Sequence, residues 1–98
     1  MSDKFKSIDE LREELDLHNQ FTIKYAGERY EIEPPWDDEP YSGKYLIYNL
    51  NDNGDLDGDN KILPNFATFD EMLDSFKAHD GKIMREFILE AEITDRSF

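Results

Sequence analysis

The sequence predicts an α+β domain in which three helices pack on an antiparallel sheet of three strands, or four if a short edge segment joins. Three observations lead there. Two Ser/Thr capping boxes each open a helical apolar stripe, one stretch alternates strictly as a hairpin does, and the elements follow in the order αβββαα. Ninety-eight residues make one domain over 1–98, with 1–6 and 93–98 expected as tails.

Ser7 is followed three residues later by Glu10, and Ile8, Leu11 and Leu15 recur at helical spacing. Asp9 and Glu10 suit the positive end of the helix dipole. The first helix is therefore placed at about Ser7 to Leu17. Phe21, Ile23 and Tyr25 then alternate with Thr22 and Lys24, and after a turn at Ala26-Gly27-Glu28, Tyr30 and Ile32 alternate with Arg29, Glu31 and Glu33. "PPWDDEPYSG" is a loop, because its prolines and glycine do not serve a strand interior. "GKYLIYNL" is the third strand, and "ILPNF" is the candidate edge segment.

Thr68 and Glu71 form the second capping box, with Phe69, Met72, Leu73 and Phe76 as its buried stripe. "AHDGK" breaks that helix. Lys82 to about Glu92 reads as the third, with Ile83, Met84, Phe87, Ile88 and Ala91 facing inward.

Twenty-four acids against 11 bases set the net charge at -13. Such a surface repels phosphate backbones and anionic lipid headgroups and favours basic partners and cations, so neither nucleic acid nor membrane is the expected direct partner. Cysteine is absent, which removes disulfide and thiolate chemistry. "MSDKFKSIDEL" lacks the apolar stretch of a signal peptide, and the longest apolar run, Tyr45 to Tyr48, is far short of a span. A cytoplasmic location is the expectation.

The stretch "NDNGDLDGDNKI" resembles a calcium loop. An EF-hand needs oxygen ligands at positions 1, 3 and 5, glycine at 6 and a bidentate Glu at 12. Starting at Asp55 supplies Asp55, Asp57 and Asp59, but puts Asn60 at the glycine position and Phe66 at position 12. Starting at Asn53 places Gly58 correctly and puts Pro64 at position 12. A strand, not a helix, precedes the loop. Asn, Asp and Gly supply local turns just as readily. Asp55, Asp57 and Asp59 stand as candidate calcium ligands, and no other cofactor is implied.

His18 and His79 belong to no recognisable motif, and Ser2, Ser7, Ser42 and Ser97 are terminal, capping or in a loop. No nucleophilic constellation assembles, so the expectation is not an enzyme. Trp36, in "PPWDDEP", is a candidate interface anchor, or else folds back over the sheet beside Tyr41. Around it, Asp37, Asp38, Glu39, Asp52, Asp55, Asp57 and Asp59 face a single base, Lys44. Glu10, Glu13, Glu14 and Asp16 mark the first helix, and Glu28, Glu31 and Glu33 the second strand. Alternate strand residues lie about 6.7 Å apart, and duplex phosphates rise about 3.4 Å per strand, so rows of carboxylates can imitate rows of phosphates. An acidic surface that only keeps the protein dissolved is the plainer alternative, and a housekeeping domain that associates with itself or another subunit through apolar surface on its sheet is a further one.

"SIDELREELDLHNQFTIKYAGERYEI" and "FATFDEMLDSFKAHDGKIMREFILEAEI" resemble, in layout and composition, the small acidic proteins of prophages and genomes of low-GC Gram-positive bacteria. Some proteins of similar layout are anti-CRISPR inhibitors that mimic DNA in the groove of an effector nuclease. The resemblance implies a protein that mimics nucleic acid toward a basic, nucleic-acid-binding partner and has no catalytic motif; it is the charge distribution that makes the seven acids from Asp37 to Asp59 the expected contacts, with Trp36 as the apolar anchor.

Overall fold

A computed structural model describes residues 3–37, 40–50 and 64–97. The elements run α1 (Ile8–Asp16), β1 (Gln20–Tyr25), β2 (Glu28–Glu33), β3 (Tyr45–Leu50), β4 (Asn65–Phe66), α2 (Phe69–Ser75), α3 (Met84–Phe87) and β5 (Glu92–Ser97). The fold is α+β as expected, but among the described residues the sheet has five strands, all in antiparallel pairs, in the order β4-β3-β2-β1-β5.

Both expected N-caps form, and each glutamate three residues on reaches back past its cap. The Ser7 hydroxyl accepts the Glu10 N–H at 3.1 Å, and the Glu10 carboxylate accepts the Lys6 N–H at 3.2 Å. The Thr68 hydroxyl accepts the Glu71 N–H at 3.0 Å, while Glu71 reaches back to the Ala67 N–H at 3.2 Å. Each glutamate bond falls on the residue before the cap, one position away from a full capping box, so it is the hydroxyl bond that satisfies a donor the helix itself leaves open. Between β1 and β2, Ala26 and Gly27 both take positive φ (52° and 80°), as a two-residue hairpin with the matching twist requires.

Two expectations are corrected. The third helix, read as Lys82 to Glu92, is only the four residues of α3, followed by an irregular turn. Ile88 and Ala91 are buried there and preserve the helical period, but the chain must straighten at Glu92 to pair with β1. The segment 93–98, read as a tail, lies mostly in β5. Its alternation was concealed because a bulge opposite Thr22/Ile23 interrupts it and Ile93 is its single buried apolar residue. The other expected tail is also held down. Phe5 is buried, edge-on to Phe21 at 5.0 Å, and Asp3 accepts the Ile93 N–H at 2.6 Å.

The core lies on one face of the sheet. Phe21 and Ile23 of β1, Tyr30 and Ile32 of β2, Ile47 of β3 and Ile93 of β5 pack with Leu11 and Leu15 of α1, with Phe69, Met72 and Leu73 of α2, and with Met84 and Phe87 of α3. Phe87 stacks on Tyr25 at 4.8 Å and meets Phe76 at 6.2 Å. A chain of ion pairs, Asp9–Arg12–Asp70–Arg85–Asp74, ties the three helices together outside that core. No described helix is long and apolar enough to cross a membrane.

Candidate functional site

Pairing register assigns the opposite face of the sheet. Asp95, Thr22, Glu31 and Tyr48 form one row across β5, β1, β2 and β3, and Glu92, Lys24, Arg29 and Leu50 form the next. No described helix packs here. Leu46 and Leu50 are nonetheless buried, so the face is open mainly over β1, β2 and β5. A depression of about 480 Å³ lies there, bordered by Thr22, Arg29, Glu31, Leu50, Thr94 and Asp95.

Glu33, the last residue of β2, accepts three side-chain donors at one end of this face. They are Gln20 Nε2 at 3.3 Å, Trp36 Nε1 at 3.3 Å, and the Tyr48 hydroxyl. One row inward, Glu31 accepts the Thr22 hydroxyl at 3.0 Å. Burial pushes the Glu31 carboxyl above its ordinary range. The Thr22 bond opposes that shift, and the charges of Glu33 and Asp95 add to it. Burial and the Glu33 carboxylate push the Tyr48 phenol up, so it stays a proton donor at every physiological pH.

The same end receives the C-terminus of α1. His18, just past the helix, adopts φ of 63° and stacks on Trp36 with centroids 5.3 Å apart. Asn19 is buried and donates to Glu14 at 2.6 Å. The last turn of α1 holds Glu13, Glu14 and Asp16 and no base. That arrangement opposes local electrostatics, because the C-terminal end of a helix carries partial negative charge. Trp36 itself is half-buried on a rigid support. Pro34, two residues before it, is fully buried, the Trp36 carbonyl accepts the Gly43 N–H at 2.9 Å, and the indole N–H is bound to Glu33.

Of the residues expected as partner contacts, Trp36 and the exposed Asp37 are therefore at this end. Asp38, Glu39, Asp52, Asp55, Asp57 and Asp59 lie outside the described residues, and with them the candidate calcium ligands. Among the described residues no group of three acid or histidine side chains converges as a metal site would require. The acids on the helix and on the second strand do not all share one side. Those of α1 lie on the helix layer, Glu31 and Glu33 lie on the opposite face, and Glu28 falls at the far end, bonded to Asn49 at 3.3 Å. What joins α1 to the strand acids is the shared end at His18, Glu33 and Trp36. Glu33 had no signal in the sequence as an acceptor of three donors, and neither did the His18–Trp36 stack, because both depend on which strand ends meet.

His79 lies in the turn beyond α2, where its backbone N–H donates to the Tyr30 hydroxyl at 2.9 Å. A second depression, of about 400 Å³, borders it together with Tyr30, Phe76 and Lys77. Compared with protein-family models, with curated proteins and with solved structures, the chain finds no match.

Proposed function

We propose that the chain is a non-enzymatic acidic interaction module that binds a basic protein through the end of the fold where α1 runs out. The observation carrying this reading is the gathering of Glu13, Glu14 and Asp16 with Glu33, Trp36 and Asp37 at that end. Three carboxylates in the last turn of a helix cost local stability. A sequence that breaks a local rule at one place does so most often where something binds.

The finer reading is that the partner is a nucleic-acid-binding protein whose phosphate site accepts these carboxylates. Glu31 and Glu33 are two residues apart on one strand face, a spacing of about 6.7 Å. The charge of -13 would also speed encounter with a basic groove.

The test is capture from a bacterial lysate on immobilised protein at low salt, followed by elution with duplex DNA, chelator and high salt in turn. The expected result is retention of nucleic-acid-binding proteins that duplex DNA releases and that a Glu13→Lys, Asp16→Lys, Asp37→Lys triple variant fails to retain. Equal retention by the variant would overturn the proposal. Release by chelator alone would instead place a cation on Asp55, Asp57 and Asp59.

A further inference from the structure

We infer that the depression on the open face of the sheet binds a small zwitterion, an α-amino acid with an apolar side chain, between Arg29 and Glu31. The inference goes beyond the proposed function and stands separately from it, because Arg29, Leu50 and Asp95 take no part in the proposed partner contact.

The depression of about 480 Å³ is bordered by both a base and an acid, and its size is within the roughly 300–1,000 Å³ of small-molecule sites. Strand register leaves each of those charges without an opposite one beside it. In its row Arg29 lies between Lys24 and Leu50, a like charge on one side and a leucine on the other. Like charges directly opposite repel. Among the described residues Arg29 joins no ion pair. Glu31 lies between Thr22 and Tyr48, and the Thr22 hydroxyl donates to it at 3.0 Å. Arg29 and Glu31 are two residues apart on one strand, about 6.7 Å along the backbone. They do not neutralise each other, because the charges that act on the Glu31 carboxyl are those of Glu33 and Asp95.

The bulge in β5 points into the same place. Ile93 pairs with Ile23 and is buried in the core, whereas Asp95 pairs with Thr22. In a regular strand Asp95, two residues beyond Ile93, would face the core as well. The extra residue, Thr94, donates its hydroxyl to the Thr22 carbonyl at 3.2 Å, and Asp95 is re-aimed to the open face, where it borders the depression. The fold thus sets a second acid near a carboxyl that is already half-buried. An ammonium group seated between Glu31 and Asp95 answers both. A carboxylate on the same ligand answers Arg29, whose guanidinium can donate two parallel bonds. The gap between the two positions suits one α-amino acid with a hydrogen bond at either end. Leu50, beside Arg29 in its row, is the apolar wall for the side chain.

The experiment titrates the ¹⁵N-labelled full chain with L-leucine and follows the amide shifts of β1, β2 and β5. Two analogues each lack one charge: L-leucinamide, which also imitates the N-terminus of a peptide, and 4-methylpentanoate. L-leucine is expected to bind saturably and each analogue about tenfold more weakly, since each leaves one charged hydrogen-bonding group unmatched. Arg29→Gln is expected to reduce leucine to the affinity of leucinamide, and Glu31→Gln to that of 4-methylpentanoate, while the amide shifts of the covered face stay in place. No saturable shift with leucine would overturn the inference. So would leucinamide binding as tightly as leucine, which would mark a peptide N-terminus as the ligand, or 4-methylpentanoate doing so. Each of these results leaves the capture of a basic protein, read by the triple variant, untouched.

Discussion

The two faces of the sheet are built from the same strands by the same alternation, yet they obey different physics. On the covered face Phe21, Ile23, Tyr30, Ile32 and Ile47 are large side chains closed off from water, and stability there is a matter of volume and contact. On the other face the alternate positions of β1 and β2 are Thr22, Lys24, Arg29, Glu31 and Glu33, of which Thr22, Glu31 and Glu33 are held by side-chain hydrogen bonds in a half-wet environment. Tolerance to change should therefore differ sharply between neighbours only one residue apart.

The largest break in that comparison is expected from Phe87→Ala. Phe87 is fully buried and touches Tyr25, Tyr30 and Phe76, so the variant should lose about 3–5 kcal/mol in urea unfolding. For a domain of this size that is a large share of the total. Glu33→Ala should cost less, about 1–2 kcal/mol, because its three stranded donors regain water in part. It should also shift Trp36 emission to the red, which no core variant should do before unfolding.

Next in size is a pair of substitutions with opposite effects on stability and binding. Glu13→Lys and Asp16→Lys replace acids with bases at the negative end of α1, and each should raise stability by about 0.3–1 kcal/mol at low salt. If this end binds a basic partner, the same variants should bind it less well. A gain in Tm with unchanged binding would mean that the acids serve solubility alone.

The smallest effect concerns Glu31. Its folded-state value lies above the ordinary one, so the stabilising contribution is present below the ordinary carboxylate value and is lost as pH rises through the raised one. Glu31→Gln should therefore raise Tm at neutral pH by roughly 1–2 °C, since the open side of the group screens the penalty. The gain should vanish below about pH 4. Melting curves across that range give the sign directly.

Much of the covered face was legible in the sequence. Ser7 with Glu10 and Thr68 with Glu71 each mark a helix start through bonds made within four residues, and the β1–β2 hairpin follows from alternation around a turn. The failures come where tertiary pairing overrides local period. Ile88 and Ala91 continue a helical stripe that the chain abandons, and Thr94, Asp95 and Arg96 show no strand alternation because a bulge breaks it. Of the candidate site, Trp36, Asp37 and the α1 acids could be named from the sequence. Their meeting at one end could not, because it depends on Gln20 and Glu33 lying side by side.

The pairing of β5 with β1 also bears on the order in which the molecule can assemble. β1 sits inside the finished sheet, but its outer neighbour is some seventy residues further along the chain. Contacts of that separation form slowly, because a long loop must close before any of them is rewarded. Until Glu92–Ser97 arrives, β1 is an edge strand with open hydrogen-bonding groups beside Phe21 and Ile23, the kind of surface on which another chain can add. During synthesis on a ribosome, α1, α2 and the hairpin all precede that strand, so the nascent chain carries β1 as an open edge until Glu92–Ser97 has emerged.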